Sequence, residues 1–413
     1  MSSTANTSNV PKWLEAQLFE NILKENVPNY KAIKEFKAYA AVPAGENFST
    51  VITRVEIHIE LQDGSTIPKF FIVKTQHESA LYKELTEGIE DCFTTEHIVY
   101  QQLMPAFEKL YRDAGKEIKF AAKYHKLPTD KSHMLLEDLC PLNFRNASRL
   151  DCFDMEHTKQ VLKKMAEWHA VSAVHRENIG KYDEVFTVGT YNERLRKGIT
   201  VFFESMTKYM QRCMHVYENS EDYREKIEKL LPRIIDELWK ATKVDDGDFN
   251  VLNHCDCWAS NIMFQYGANG ELLDNYFVDI GNPKYGSPAQ DLIYFILSSA
   301  QTDFKIKQFD NLIRYYHEHL VENLELLKYP KAKPSLKDLH VALHKYNIWG
   351  FATTVGVLAI ALMDSTELST FDNFLGDSDD GDKFKLLMFT NKRYIEHVNV
   401  IMPWLLNRGA LDF

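Results

Sequence analysis

Hydrophobic and polar positions divide this chain into an early part patterned in twos and a later part patterned in threes and fours. TVITRVEIHIEL places Val51, Thr53, Val55, Ile57, Ile59 and Leu61 on one face and Arg54, Glu56, His58 and Glu60 on the other, as a half-buried strand would. QDGST turns the chain at Asp63-Gly64, and KFFIVKTQ reads as a second strand carrying Lys74. KEFKAYAAV (34–42) alternates in the same way, and IKFAAKYH (118–125) and HMLLEDL (133–139) read as two further strands. Two early segments break the period. Pro11 opens a helix with Leu14, Leu18 and Leu23 near one face. FTTEHIVYQQLMP is the second helix, with Phe93, Glu96, Tyr100 and Leu103 on one face and Pro105 expected to end or kink it.

From Asp154 the pattern is helical. Met155, Val161, Leu162, Met165, Ala166 and His169 outline one helix, and YNERLRKGITVFFESMTKYMQ and EKIEKLLPRIIDELWKAT predict two others. A turn at GANGE precedes the apolar run YFVDIG. The uncharged stretch from Ile348 to Met363 is short for a membrane span and reads as a buried helix, and FDNFLGDSDDGD (371–382) as an acidic loop. The expected architecture is α+β and two-lobed: an N-terminal antiparallel-sheet lobe with its leading helix over 1–140, and a mainly helical lobe over 141–413.

Composition narrows the function. Apolar residues make up 45% of the 413 and aromatic ones 12%, ample for a sizeable core. A net charge of -11 argues against general nucleic-acid binding. MSSTANTSNV lacks the apolar core of a signal peptide, and six cysteines are too sparse for a disulfide scaffold. A cytoplasmic chain with reduced thiols and no membrane insertion is expected, and nothing calls for an obligate protein partner.

The chemistry concentrates in HCDCWASN, residues 254–261. His254, Cys255, Asp256 and Cys257 stand too close together for one tetrahedral zinc, and Cys-x-Cys is not the Cys-x-x-Cys of a thioredoxin-like pair. Phosphoryl transfer fits better. It needs a carboxylate for the hydroxyl nucleophile, oxygen ligands for Mg2+, and a cation on the phosphates. Asp256 and Asn261 lie on one loop, and a hairpin can return Asp279 close to Asn261. Lys74 supplies the cation. Glu96, on the apolar face of its helix, asks for a partner, and Lys74 would be that partner; Glu78 and Glu84 compete for the role. The loop PAGENFS, with Gly45 and Ser49, could lay backbone amides over a nucleotide.

HCDCWASN followed by VDIGNPKYGSPAQDLIYF resembles the ecdysteroid-kinase-like family, small-molecule kinases related to choline and aminoglycoside kinases. FIVK (71–74), the FTTEHIVYQQLMP helix, LLEDL (135–139), MAEWHA (165–170) and the terminal LLNRGALDF also look like the family, so the resemblance runs from about Pro11 to the end. It implies a protein-kinase-like bilobal fold, ATP and Mg2+ as cofactors, and a small, lipophilic, hydroxylated substrate such as an ecdysteroid. By position, Asp256 resembles the catalytic base, Asn261 and Asp279 the metal ligands, and Lys74 the phosphate-binding lysine with Glu96 its partner. His254 resembles a loop-shaping residue, Asp291 the buried acid bracing the catalytic loop, and Trp258 a residue packing that loop against the helical lobe. Glu137 to Leu139 would follow the hinge strand beside the adenine. Two positions depart from the family pattern: Cys255 stands where it has glycine, and Ile280-Gly281 where it commonly has Phe-Gln. If the backbone at 255 needs a positive φ, the cysteine is strained. A detoxifying kinase of plant or xenobiotic alcohols, a choline-type kinase, a protein kinase and a ligand-binding pseudokinase are the rival readings.

Overall fold

The computed structural model describes residues 10–42, 50–76, 92–189, 191, 193 and 195–412. Gly45 and Ser49 of the PAGENFS loop, and the competing Glu78 and Glu84, lie outside the described residues. Helix α1 (Glu20–Asn26) leads into three long strands, β1 (Tyr30–Ala40), β2 (Thr50–Leu61) and β3 (Thr66–Gln76). With β4 (Tyr124–His125) and β5 (Met134–Glu137) they form an antiparallel sheet of order β1-β2-β3-β5-β4. The β2–β3 hairpin closes where the sequence marks it. Gly64 adopts φ +83, free of a Cβ clash, and Asp63 accepts the Ser65 amide at 2.9 Å. Val55, Ile57 and Ile59 are fully buried against α1, as their alternation requires.

Several expected elements are rearranged. Of IKFAAKYH only Tyr124–His125 joins the sheet. The first helix starts later than Pro11, at a 3-10 turn (Ala16–Phe19) before α1. Pro105 does not end its helix: α2 (Thr94–Ile98) widens into a π turn (Val99–Leu103) and continues as α3 (Met104–Asp113). The π turn sits where proline has no N–H to give, so the helix absorbs the missing bond without stopping. Phe93, Glu96, Tyr100 and Leu103 are all buried, as their common face predicts.

The rest of the chain is mainly helical. After β6 (Phe144–Arg145) comes α4 (Met155–Ile179), capped by Asp154 on the His157 amide and closed at Gly180 with φ +85. Then follow α5 (Arg196–Cys213), α6 (Glu221–Leu230) and α7 (Ile234–Ala241); Pro232 splits the last pair, which periodicity reads as one helix. Strand β7 (Val251–Asn253) pairs with β10 (Lys284–Gly286), and β8 (Ile262–Tyr266) with β9 (Leu272–Phe277). Helices α8 (Ala289–Ser299), α9 (Phe309–Leu326) and α10 (Leu336–Lys345) follow.

The uncharged stretch is buried but broken. Gly356 ends α11 (Ile348–Val355) and starts α12 (Val357–Ala361), and a Cβ there would meet the Ala352 carbonyl at 2.8 Å. The acidic segment is not a plain loop: it forms α13 (Phe371–Leu375) and opens α14 (Asp379–Thr390), where its aspartates suit the helix N-terminus. Helix α15 (Lys392–Asn407) closes the chain. Among the described residues no helix is long and apolar enough to cross a membrane. The larger apolar core joins α2 and α3 to the helical lobe, and a smaller one holds α1 on β1–β3.

Candidate active site

A cavity of about 920 Å³ lies between the sheet and the helices. Its charged end is assembled from three separate parts of the chain. Lys74, last but two in β3, is buried, and its Nζ donates to Glu96 Oε1 and Oε2 at 2.9 Å each and to Asp279 Oδ1 at 2.8 Å. Glu96 also accepts the Ile280 amide, so α2 grips both the lysine and the chain beside Asp279. Burial alone would drive the lysine toward neutrality, but Asp279 and Glu96 outweigh it and raise its pKa. Burial likewise pushes Asp279 up, and the Lys74 ammonium overcomes it and holds the carboxyl below its usual range.

Asp279 arrives through the β8–β9 hairpin. Ile262 pairs with Phe277, and the Val278 amide donates to the Asn261 carbonyl at 3.0 Å, so the residue after Val278 emerges beside Asn261. Asp279 has φ +59, a left-handed conformation unusual outside glycine and asparagine, and its side chain remains 34% exposed toward the cleft.

Asp256 sits on the adjoining loop. Asn261 Nδ2 donates to Asp256 Oδ2 at 2.8 Å and to its main-chain oxygen at 3.0 Å, and the Tyr294 hydroxyl donates to Oδ1 at 2.6 Å. Burial raises the Asp256 pKa to about 7, against the lowering effect of the Tyr294 and Asn261 hydrogen bonds.

The loop is held from below by Asp291 in the first turn of α8. Its oxygens accept the His254 amide at 2.7 Å and the Cys255 amide at 2.8 Å, and it also meets His169 Nε2 at 3.2 Å. His254 Nε2 donates to the Val278 carbonyl at 3.2 Å while Nδ1 accepts the Asp256 amide at 3.3 Å, a pattern only the neutral ring satisfies; burial lowers its pKa accordingly. The His254 ring thus bridges the two loops.

Cys255 has φ +65, so the cysteine in the family's glycine position does adopt the left-handed region. That costs on the order of 1 kcal/mol, which the Asp291 hydrogen bond helps to offset. Burial pushes the Cys255 and Cys257 thiols upward, which makes both poor nucleophiles and poor metal ligands. Trp258 is half-buried and lines the cavity; it is not part of the packed core of the helical lobe.

Glu137, Asp138 and Leu139 line the far wall. Arg54, read from alternation as a solvent-facing residue of β2, turns into this wall instead: its Nε pairs with Asp138 Oδ2 at 2.6 Å. A buried carboxylate at 138 drew it inward, which strand period alone cannot show.

The other end of the cavity is apolar. Tyr191, Phe202, Trp349, Ile360 and Phe374 line it, with Gly356 between α11 and α12. Tyr191 stacks edge-on against Trp349 at 5.0 Å, and Phe202 lies 5.8 Å from Phe374. None of these stood out in the sequence, because aromatic residues at helical spacing look the same whether they face a core or a cavity. Tyr294 did carry a signal: it stands three residues after Asp291, on the same helix face.

The donor set fits a hard divalent cation. Asp279 offers a partly exposed carboxylate, and Asn261, having spent its Nδ2 on Asp256, has an amide oxygen left to offer. Among the described residues no group of three or more His, Cys, Asp or Glu side chains could hold a metal ion by itself.

A sheet lobe, a helical lobe and a cleft that joins a buried Lys–Glu pair to a loop aspartate define a kinase-like phosphotransferase. A model of the ecdysteroid kinase-like family matches residues 44–329, more than half of the chain, and the chain belongs to that family. No curated protein matches it. Among solved structures it is similar to choline kinase from Cryptosporidium parvum Iowa II, at 12% identity and TM-score 0.49, covering 96% of this chain and 98% of that one. It is also similar to the aminoglycoside phosphotransferase from Alicyclobacillus acidocaldarius subsp. acidocaldarius, at 8% identity and TM-score 0.39, covering 94% and 96%.

Proposed function

We propose that this protein transfers the γ-phosphoryl group of ATP to a hydroxyl of a small lipophilic molecule, an ecdysteroid or related steroid. The observation that carries the reading is the cavity itself. One end joins Lys74, Glu96, Asp279 and Asp256, and the other carries a wall of aromatic side chains. Lobe 1–140 supplies the phosphate-binding cation, and lobe 141–413 supplies the base, the metal ligands and the acceptor pocket.

Lys74, fixed by Glu96, holds its ammonium where nucleotide phosphates enter. Asp256 orients the acceptor hydroxyl and takes its proton as the oxygen attacks phosphorus in line, and the bond to the ADP oxygen breaks. Asn261 and Asp279 would hold Mg2+, which neutralises charge on the phosphates when bound. Glu137 and Leu139, which line the cavity, would follow the hinge strand beside the adenine. Tyr191, Phe202, Trp349, Ile360 and Phe374 offer apolar area, which suits a lipophilic acceptor.

The test is a mass-shift screen of hydroxylated steroids and plant alcohols with Mg-ATP. Addition of one phosphoryl group to a steroid is the expected result. Transfer only to plant or xenobiotic alcohols would move the assignment to a detoxifying kinase. Nucleotide binding with no transfer across the panel would leave a pseudokinase.

A further inference from the structure

We propose that Tyr294 is a positioning residue of the transfer, holding the Asp256 carboxylate in the orientation from which it meets the acceptor hydroxyl. The proposal rests on the reading of Asp256 as the base.

Helix α8 touches the catalytic loop at two points, one turn apart. Asp291 takes the His254 and Cys255 amides and so fixes the main chain of the loop. Three residues on, and therefore on the same face, the Tyr294 hydroxyl donates to Asp256 Oδ1 at 2.6 Å, the short distance of a charge-assisted O–H···O bond. The first contact places the backbone of the loop and the second places the working end of its carboxylate. An aspartate's last torsion is broad and two-fold, so a fixed backbone alone would leave the carboxylate free to turn.

Asn261 holds the other oxygen, Oδ2, at 2.8 Å. Its amide has a second task, since its oxygen is the group available to a cation. Tyr294 has no such conflict: among the described residues it is the partner of the Asp256 carboxylate that does not double as a candidate metal ligand. With one donor on each oxygen, the carboxylate keeps a lone pair on each for the incoming hydroxyl. The support under Tyr294 is rigid, because its neighbours Leu292, Ile293, Phe295 and Ile296 are all essentially inaccessible to solvent. Tyr294 also lines the cavity, so its ring forms part of the surface on which the acceptor would rest.

The bland alternative is a strut that merely ties α8 to the loop, and a double-mutant cycle separates the two. Turnover is measured for wild type, Tyr294→Phe, Asp256→Asn and the double variant. The probes are Mg-ATP with a hydroxylated steroid that wild type phosphorylates, and Mg-ATP with water as the acceptor. Tyr294→Phe is expected to lower kcat about ten- to hundredfold, the scale of a misplaced reacting group, with KM for ATP and Tm nearly unchanged. In the Asp256→Asn background the same change should cost less than about twofold, because a residue acting through Asp256 has nothing left to position. Fluorotyrosine at 294, which restores the hydroxyl and keeps the fold, should return kcat to within about threefold of wild type.

Unchanged kcat in Tyr294→Phe, multiplicative losses in the double variant, or a rise in KM for ATP matching the loss would each overturn the proposal. Should Tyr294→Phe fail to fold, Tyr294→Met, which keeps an apolar side chain there without the hydroxyl, takes its place in the cycle with the same expected and overturning results. Wild-type turnover in Asp256→Asn would instead remove the base assignment, and absence of any wild-type turnover would remove the kinase reading; either takes this proposal with it.

Discussion

The two ends of the cavity are built on opposite principles. At the end proposed to take the phosphates, Lys74, Glu96 and Asp279 meet within 2.9 Å, two of them almost wholly out of water. At the proposed acceptor end, Tyr191, Phe202, Trp349 and Phe374 form a wall whose contacts are rings and edges. Charges withdrawn from solvent tolerate few geometries, since any unpaired one is costly; the phosphate end is therefore over-determined. Apolar contact is non-directional and scales with area, so the acceptor end sets shape rather than position. Substitutions at the two ends should therefore differ in kind as well as in size.

Lys74→Met should have the largest effect. It leaves Glu96 and Asp279 facing each other without a cation, which should lower stability by about 3–5 kcal/mol. Turnover should fall by about 10²-fold or more. Chemical denaturation and a steady-state assay check both, and a loss confined to turnover would show that the ion pair is not what orders the phosphate end. Asp256→Asn comes next. Turnover should drop by about 10²-fold with nucleotide binding little changed. Asp279→Asn should weaken magnesium-dependent nucleotide binding as well. Nucleotide calorimetry with and without magnesium separates the two variants; identical profiles would merge the roles assigned to them.

Phe202→Ala probes the other end. It removes a ring that packs on Phe203 at 5.1 Å and sits 3.3 Å from where a Gly356 Cβ would lie. The acceptor KM should rise about tenfold to a hundredfold, while KM for ATP stays as it was. A parallel change in both constants would mean that the two ends are not independent.

The smallest effect is expected at Lys305, a buried amine in the helical lobe that tests whether burial alone makes a site. Lys305 is fully buried like Lys74, but its Nζ meets the Leu297 carbonyl and His397 Nδ1, and among the described residues no carboxylate pairs with it. Burial pushes its pKa down to about 8, weakly opposed by Cys152. The folded state therefore sheds a proton that the unfolded chain keeps up to about 10.5, and stability should rise with pH across that window. Lys305→Met should leave turnover within about twofold of wild type and abolish this component of the pH dependence of stability. Denaturation midpoints of the two proteins from pH 7 to 10.5 test it; parallel curves would place the titration elsewhere.

Much of the phosphate end was legible in the chain. Lys74 closes an apolar strand, Glu96 interrupts an apolar helix face, and Asp256, Asn261 and Asp279 stand on two segments that a hairpin joins. Polar groups set into apolar patterns are conspicuous because burying them demands partners. The conditional strain at Cys255 was also visible in advance, though its φ of +65 was not. The inward turn of Arg54 toward Asp138, the π turn before Pro105, and the splits at Pro232 and Gly356 were not legible, since each is settled by neighbours distant in the chain or by how one turn accommodates a missing bond.

By itself the sequence determined the strands and helices whose apolar period is strong, the division into an early sheet and later helices, and the polar residues that had to find one another. Only the tertiary structure decided that Lys74 meets both carboxylates at once and that Tyr294 reaches the free oxygen of Asp256. It also decided which aromatic side chains face a cavity instead of a core. The reason is physical. Local periodicity records which face of an element avoids water, whereas hydrogen-bond partners and cavity walls depend on how separate elements pack, a relation that no single segment encodes.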